Sequence, residues 1–104
     1  MKGILVDPVA KSIEYIVSEG GFTLAELHEL IDAEALDFFY PFGRTETVVV
    51  DDGGIRKGLA PFEIECYGAP IYGRAIIFGR DAGGGDRSTS LTVEEVHELV
   101  SFPS

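Results

Sequence analysis

The apolar residues of segment 71–79 fall on both faces of an extended chain. Ile76 and Phe78 point to one side of such a strand, and the residues between and beside them point to the other. A strand that is apolar on both faces is usually central in its sheet and covered on each side. The pattern therefore predicts a central strand, which one charged residue, Arg74, enters on the face of Ile76 and Phe78.

Shorter apolar or alternating runs predict the strands that pair with this one. Residues 3–6 and 12–17 flank a turn that contains Pro8, and we expect them to form a β-hairpin. Residues 35–40 and 45–50 are predicted as the next two strands, the second because it is rich in β-branched side chains.

The clearest reversal of the chain is the Asp-Asp-Gly-Gly sequence at residues 51–54, because an Asp-Gly pair accepts the backbone angles of a tight hairpin turn. Residues 55–59 are expected to return as a short strand that ends at Pro61. Residues 62–67 alternate apolar side chains with Glu63 and Glu65, which predicts a half-buried strand or an edge strand. An edge strand of this kind is able to pair with a second copy of the chain, which leaves a homodimer open.

Two helices are predicted to begin with the same signal. At residues 23–26 and again at 92–95, a threonine stands three residues before a glutamate, which is the spacing of a capping box. The first helix is expected to bury Leu24, Leu27 and Ile31 along one stripe. Since the flanking strands do not repeat, we interpret these as two helices with a common kind of start, not as an internal duplication.

These elements together predict an α+β fold. We expect an antiparallel or mixed sheet of about five to seven strands, with two short helices packed on one face. The 104 residues suffice for a single domain, 1–104, with one modest core. Residues 80–90 are predicted to form a polar, glycine-rich loop and the most mobile part of the chain.

The charge balance excludes some classes of function. The chain has 8 lysines and arginines against 18 aspartates and glutamates, a formal net charge of -10. Such a charge repels phosphate backbones and anionic membranes, so we expect no direct binding to nucleic acid or to a membrane. Solubility is the simplest role of the acidic residues. Mimicry of DNA remains an alternative, although the acids are scattered and do not form blocks.

Localisation is predicted from the cysteine content and the absence of targeting segments. Cys66 is the only cysteine, so we expect a packed structural thiol in a reducing compartment. The first residues carry too short an apolar run for a signal peptide, and no run approaches the about 20 apolar residues of a membrane span. The sequence therefore favours a cytoplasmic protein.

The two histidines do not form a convincing metal site or catalytic site. His28 and His97 occupy the same position in the two predicted helices, so they would meet only if those helices packed side by side. Asp32 lies four residues after His28 and would add a second ligand, but a third is not evident. We therefore predict packed or half-exposed histidines, no metal and no cofactor.

A site for an anion is the strongest candidate for ligand binding. The glycine-rich loop lies between a strand and a helix, where backbone N–H groups can hold a phosphate, but it lacks the ending of a P-loop. Asp81 and Asp86 oppose an anion there, which favours a simple connector. Each candidate ligand-binding residue lies on or beside the central strand and offers a positive charge, a backbone amide or an aromatic ring. They are Tyr72, Arg74, Arg80, Gly83, Gly84, Gly85 and Arg87. For Arg74, pairing with a carboxylate is the favoured alternative.

Three segments resemble a known family. Residues 1–8 (MKGILVDP), 73–75 (GRA) and 91–96 (LTVEEV) are similar to small proteins of unknown function carried by bacteriophages, plasmids and their bacterial hosts. The resemblance implies a mobile-element context and no catalytic residues, cofactor or substrate.

The sequence thus predicts a non-enzymatic accessory protein of a mobile genetic element that interacts with an unidentified protein partner. No nucleophile with a base, and no paired carboxylates, form a recognisable catalytic pattern. The alternative is a protein that binds or sequesters a small, nucleotide-like anion, and mimicry of DNA is a further one.

Overall fold

The computed structural model describes residues 1–65 and 67–103, except for the side chain of Arg44. The expected packing of Cys66 lies outside the described residues. The strands and helices, numbered in chain order, are β1 Lys2–Asp7, β2 Ser12–Val17, α1 Leu24–Ile31, β3 Leu36–Phe39, β4 Glu46–Asp51, α2 Gly54–Lys57, β5 Pro61–Ile64, β6 Ile71–Tyr72, β7 Ala75–Arg80, β8 Asp86–Arg87, α3 Val93–Leu99 and β9 Val100–Ser101. A 3₁₀ turn at Gly43–Thr45 precedes β4.

The fold is α+β, as predicted, and the strand pairs are antiparallel. The main sheet has the order β2-β1-β7-β4-β3, and the short β8 pairs with the end of β7. A second sheet of three short strands has the order β6-β5-β9. Strand β7 is central, because Ile77 pairs with Ile4 of β1 on one side and with Val48 of β4 on the other.

Both faces of β7 are buried, as its sequence pattern predicts. Ala75 and Ile77 belong to one apolar cluster, in which they pack with β1, the second sheet and α3. Ile76 and Phe78 belong to another cluster on the opposite face, with Leu27 of α1. Removal of each large side chain among them from water contributes about 1.5–3 kcal/mol, so this strand stabilises two apolar clusters at once.

The two long helices cover opposite faces of the sheet, so the prediction that both pack on one face was wrong. Leu27 and Ile31 of α1 lie in the cluster of Ile76, whereas Val96 of α3 lies in the other. The reason is physical: a strand that is apolar on both faces needs a cover on each. Leu24, expected in the buried stripe of α1, is 63% exposed and lies outside it.

Both predicted capping boxes are confirmed. The Thr23 hydroxyl accepts the Glu26 N–H at 3.1 Å, and the Glu26 carboxylate accepts the Thr23 N–H at 3.2 Å. Thr92 and Glu95 form the same reciprocal pair, with distances of 3.1 and 3.0 Å. Each box satisfies N–H groups that the first turn of a helix leaves unpaired.

The predicted hairpin at residues 51–54 is not formed, and the expected return strand at 55–59 is replaced by the single-turn helix α2. Asp51 Oδ1 accepts the Gly53 N–H at 2.7 Å, and the Lys57 ammonium lies 2.8 Å from Asp51 Oδ2. These contacts close the segment into a turn of helix. Pro61, expected to end a strand, instead begins β5.

Two other predicted strands differ from the structure. Segment 71–79 divides into β6 and β7, which belong to different sheets, because the chain turns at Gly73 with a φ of 96°. Phe62 and Ile64 are buried and Glu63 and Glu65 are exposed, as the alternation predicted, but β5 ends at Ile64 and lies between β6 and β9. It is therefore not the edge strand considered above for a homodimer.

The segment 80–90 is only partly a loop. Strand β7 extends to Arg80, and Asp86 pairs with it to start β8, so the glycines form the tip of a hairpin. In the described part of the chain, no helix combines the length and the apolar character that crossing a membrane requires.

Substitution of Gly54 by alanine is expected to destabilise the fold by about 1–3 kcal/mol. Alanine is intrinsically favoured in a helix by about 1 kcal/mol, but a Cβ on Gly54 would lie 2.4 Å from the Tyr72 carbonyl oxygen. Urea unfolding measures the change. Gly68→Ala is the matched control, since a Cβ there lies within 4 Å of none of the described residues beyond its chain neighbours. An equal loss in both variants would contradict this packing argument.

Candidate functional site

Arg74 is paired with a carboxylate, as the sequence analysis favoured. Its Nε lies 3.5 Å from Asp7 Oδ2, and its Nη1 donates to the Leu30 carbonyl oxygen at 3.2 Å. The guanidinium therefore joins the end of β1 to the last turn of α1. The pair is half-exposed, so its contribution to stability is small, about 0–1 kcal/mol.

The predicted ligand-binding residues do not form one site. Arg74 precedes the first residue of β7 and Arg80 is the last, so they are separated by about 20 Å along the strand. Tyr72 lies in the second sheet and faces a different cavity from Arg74. The structure thus brings together only the residues of the hairpin tip.

The glycine amides at this tip are already used. Asp81 Oδ1 accepts the N–H groups of Gly83 at 2.9 Å and Gly85 at 2.8 Å. The Gly84 N–H donates to the Asp81 carbonyl oxygen at 3.0 Å. Asp81 therefore occupies the place that a bound phosphate would take in an amide cradle.

Arg80 and Arg87 nevertheless line an open cavity of about 650 Å³ beside Thr45. Arg80 stacks over the Tyr40 ring at 4.7 Å, and the Arg87 Nε–H donates to the Arg80 carbonyl oxygen at 3.0 Å. Among the residues that the structure describes, neither guanidinium has a carboxylate within 4.0 Å.

The two histidines lie on opposite faces of the sheet and do not meet. His28 is half-buried, and its Nδ1 lies 2.8 Å from the Ala33 carbonyl oxygen, which joins α1 to the following loop. His97 is exposed. In residues 1–65 and 67–103, no group of three or more potential metal ligands converges.

A cavity that no motif in the sequence predicts lies between three distant segments of the chain. This cavity, here called the aromatic slot, has a volume of about 230 Å³ and lies between β3, α2 and β6. Its lining includes three rings, those of Phe39, Tyr67 and Tyr72, and the carboxylates of Asp37, Asp51 and Asp52. The alternation of β3 places Asp37 and Phe39 on the same side, which was the only signal in the sequence.

The rings and acids of the aromatic slot differ in what they contact. The Phe39 and Tyr67 rings pack with centroids 4.8 Å apart, and Tyr67 remains 40% exposed. Asp37 Oδ1 accepts the N–H of the next residue at 3.0 Å. The Asp52 side chain is exposed and has no hydrogen-bond partner within the described part of the chain. The slot therefore presents aromatic surface next to one uncommitted carboxylate.

Comparison with known proteins assigns a family. Residues 1–101 match the model of a domain of unknown function, DUF3846. The chain belongs to the DUF3846 family. No curated protein and no solved structure matches it. The match covers nearly the whole chain, so the fold and the cavities described above belong to a DUF3846 domain.

Of the three carboxylates that line the aromatic slot of this DUF3846 protein, that of Asp51 has a structural role. Its side chain is 1% exposed and bonds to Lys57 and to the Gly53 N–H. Burial opposes ionisation of Asp51, but Lys57, the Gly53 N–H and the nearby Arg56 outweigh burial and lower the pKa of this carboxyl from 3.8. The ionised carboxylate thus holds α2 against the end of β4.

Replacement of Lys57 by methionine is expected to reduce the free energy of unfolding at pH 7 by about 1–3 kcal/mol, because a buried carboxylate loses its cation. A lowered pKa stabilises the folded state above the unfolded-state value of about 3.9, and this contribution is lost as pH falls through the folded-state pKa. The difference between the two proteins should therefore shrink below about pH 4.

Denaturant unfolding from pH 3 to pH 7 measures this difference. Lys11→Met, which removes an exposed lysine in the β1–β2 turn, is the control and should change stability little. A loss in Lys57→Met that stays constant across this pH range would assign the effect to packing of the lysine stem instead.

Proposed function

We propose that this DUF3846 protein is a non-enzymatic accessory protein of a mobile genetic element that acts by binding another protein. The observation that carries the proposal is an aromatic surface at the β3 edge of the main sheet. Phe38 is 39% exposed and Tyr40 is 47% exposed, on a chain of net charge -10. Exposed aromatic residues are enriched where proteins contact one another.

The geometry of β3 supports binding at this edge. Within the described residues, β3 pairs with β4 alone. The Asp52 N–H donates to the Ala35 carbonyl oxygen, so the alternation of an antiparallel ladder turns the backbone of Leu36 and Phe38 away from β4. The Phe38 N–H already donates to Asp37 Oδ1, but the Leu36 N–H and the carbonyl oxygens of Leu36 and Phe38 are able to pair with an extended segment of another chain.

Charge and resemblance support the other parts of the proposal. A net charge of -10 favours a basic partner and speeds its approach. The mobile-element context rests on the likeness of residues 1–8, 73–75 and 91–96 to proteins of phages and plasmids. We therefore expect the partner to be a host or element protein with a basic surface.

The proposal predicts that the tagged protein captures a stoichiometric partner from a bacterial lysate, and that Phe38→Ser weakens capture about tenfold or more. Val17→Ser is the matched control. Val17 is 75% exposed on β2, the opposite edge of the sheet, and its loss should leave capture unchanged. Quantitative mass spectrometry of the captured material measures both, after thermal unfolding shows that each variant is folded.

Repeated capture of no stoichiometric protein from lysates of several hosts would contradict the proposal. Equal weakening by Phe38→Ser and Val17→Ser would place the interaction elsewhere on the surface.

Binding of a small anion is the second candidate function, favoured by the guanidinium groups of Arg80 and Arg87, which have no carboxylate partner among the described residues. A chain with 18 acids leaves these two arginines beside one open cavity without an acid partner among the described residues. The nearby Asp81 is turned toward glycine amides. Two adjacent guanidinium groups suit phosphate oxygens.

For this candidate, pyrophosphate or ATP is expected to raise the melting temperature relative to sodium chloride of equal ionic strength. Arg80→Gln and Arg87→Gln should each remove most of that rise. Arg74→Gln is the matched control, because Arg74 pairs with Asp7 at the far end of β7. No rise with either anion, or equal losses in all three variants, would exclude a phosphate site at the hairpin tip.

A further inference from the structure

The aromatic slot combines several aromatic side chains with carboxylates. Among the described residues that line it there is no lysine and no arginine, and Lys57, which is outside this lining, pairs with the buried Asp51. Asp37 and Asp52 are exposed at its rim, and Tyr72 is half-buried in its wall. The slot therefore offers negative charge and aromatic side chains to whatever enters it.

The carboxylates and aromatic side chains of this lining favour a cationic group as the occupant of the slot. Anions are repelled by the carboxylates, and an apolar side chain would desolvate them without compensation. A cation gains both from the carboxylates and from the ring faces. The volume of about 230 Å³ lies below the roughly 300–1,000 Å³ of sites for drug-sized ligands, so it suits the head group of one side chain.

Arginine fits this lining better than lysine. The planar guanidinium stacks on aromatic rings and offers several N–H donors to carboxylates, whereas the ammonium of lysine is compact and strongly hydrated. We propose that the aromatic slot binds the guanidinium group of an arginine side chain from the partner protein. This inference rests on the proposed function, since it names the part of the partner that anchors at the β3 edge.

The position of the slot beside that edge supports the assignment. Asp37 and Phe39 of β3 line the slot, and Phe38 between them points to the other face of the sheet. A partner segment that lies along β3 would also alternate its side chains between the two faces. One of its residues is thereby placed over the slot while its neighbour meets Phe38.

Titration of the purified full-length protein with N-acetyl-arginine amide tests the slot without knowledge of the partner. In two-dimensional amide NMR, we expect saturable shifts at Gly54, Ile55 and Tyr72, with a Kd on the order of 1 mM. N-acetyl-citrulline amide, a neutral analogue of nearly the same shape, should produce no saturable shift. N-acetyl-lysine amide should bind more weakly than the arginine compound.

Two variants test the lining, and one tests non-specific attraction. Asp52→Asn and Tyr67→Leu should each weaken binding about tenfold. Asp86→Asn removes one charge from the exposed strand β8, outside the slot, and should leave the Kd unchanged. Equal binding of the citrulline analogue, equal or tighter binding of the lysine compound, or equal weakening by Asp86→Asn would each overturn the inference.

The inference and the proposed function fail in different ways. Arginine binding at the slot together with no captured partner would leave the cation site standing and remove the proposed function. A partner captured through Phe38 but held equally well by Asp52→Asn and Tyr67→Leu would overturn the inference alone.

Discussion

Burial of both faces of β7 is the constraint on which the rest of this fold depends. Ala75 to Gly79 are all buried, and alternate residues of the strand enter two separate apolar clusters. A single layer of cover would leave one of those faces in water, at about 1.5–3 kcal/mol for each large side chain. Therefore α1 packs on one face of the main sheet, and α3 packs on the other face together with the second sheet.

This arrangement decides which polar groups can meet. The two helices share a sequence pattern, yet the sheet between them keeps His28 and His97 apart. The length of β7 likewise separates Arg74, which is tied to Asp7, from Arg80 at the hairpin tip. Polar chemistry is thus confined to the margins of the main sheet, and the aromatic slot lies at one such margin, where the second sheet meets β3 and α2.

Local signals made much of the fold predictable, whereas long-range contacts did not. The capping boxes depend on residues three positions apart, and the strand patterns depend on neighbours, so both can be read from the sequence. The turn of helix at α2 depends on Lys57 reaching Asp51, which overrides the hairpin preference of an Asp-Gly pair. Glu46 has the sequence context of an ordinary strand carboxylate, yet it is 1% exposed. Hydrogen bonds donated by Thr89 and Ser90 compensate for its loss of hydration. The aromatic slot is formed by three segments that are distant in the sequence, and the alternation of Asp37 and Phe39 in β3 is its only local signal.

Neighbouring aspartates show how the same residue type takes different roles. Asp51 is enclosed, bonded to Lys57 and to the Gly53 N–H, and its ionisation stabilises the end of β4. Asp52 is exposed, and its carboxylate has no hydrogen-bond partner in the described part of the chain. Its charge contributes little to the fold, since an exposed and unpaired carboxylate is well solvated by water. The Asp52 carboxylate, which the fold does not need, is therefore free to contact another molecule. It lies beside the aromatic residues of the slot. On a chain with ten more negative than positive charges, such uncommitted acids are more informative about function than the total charge is.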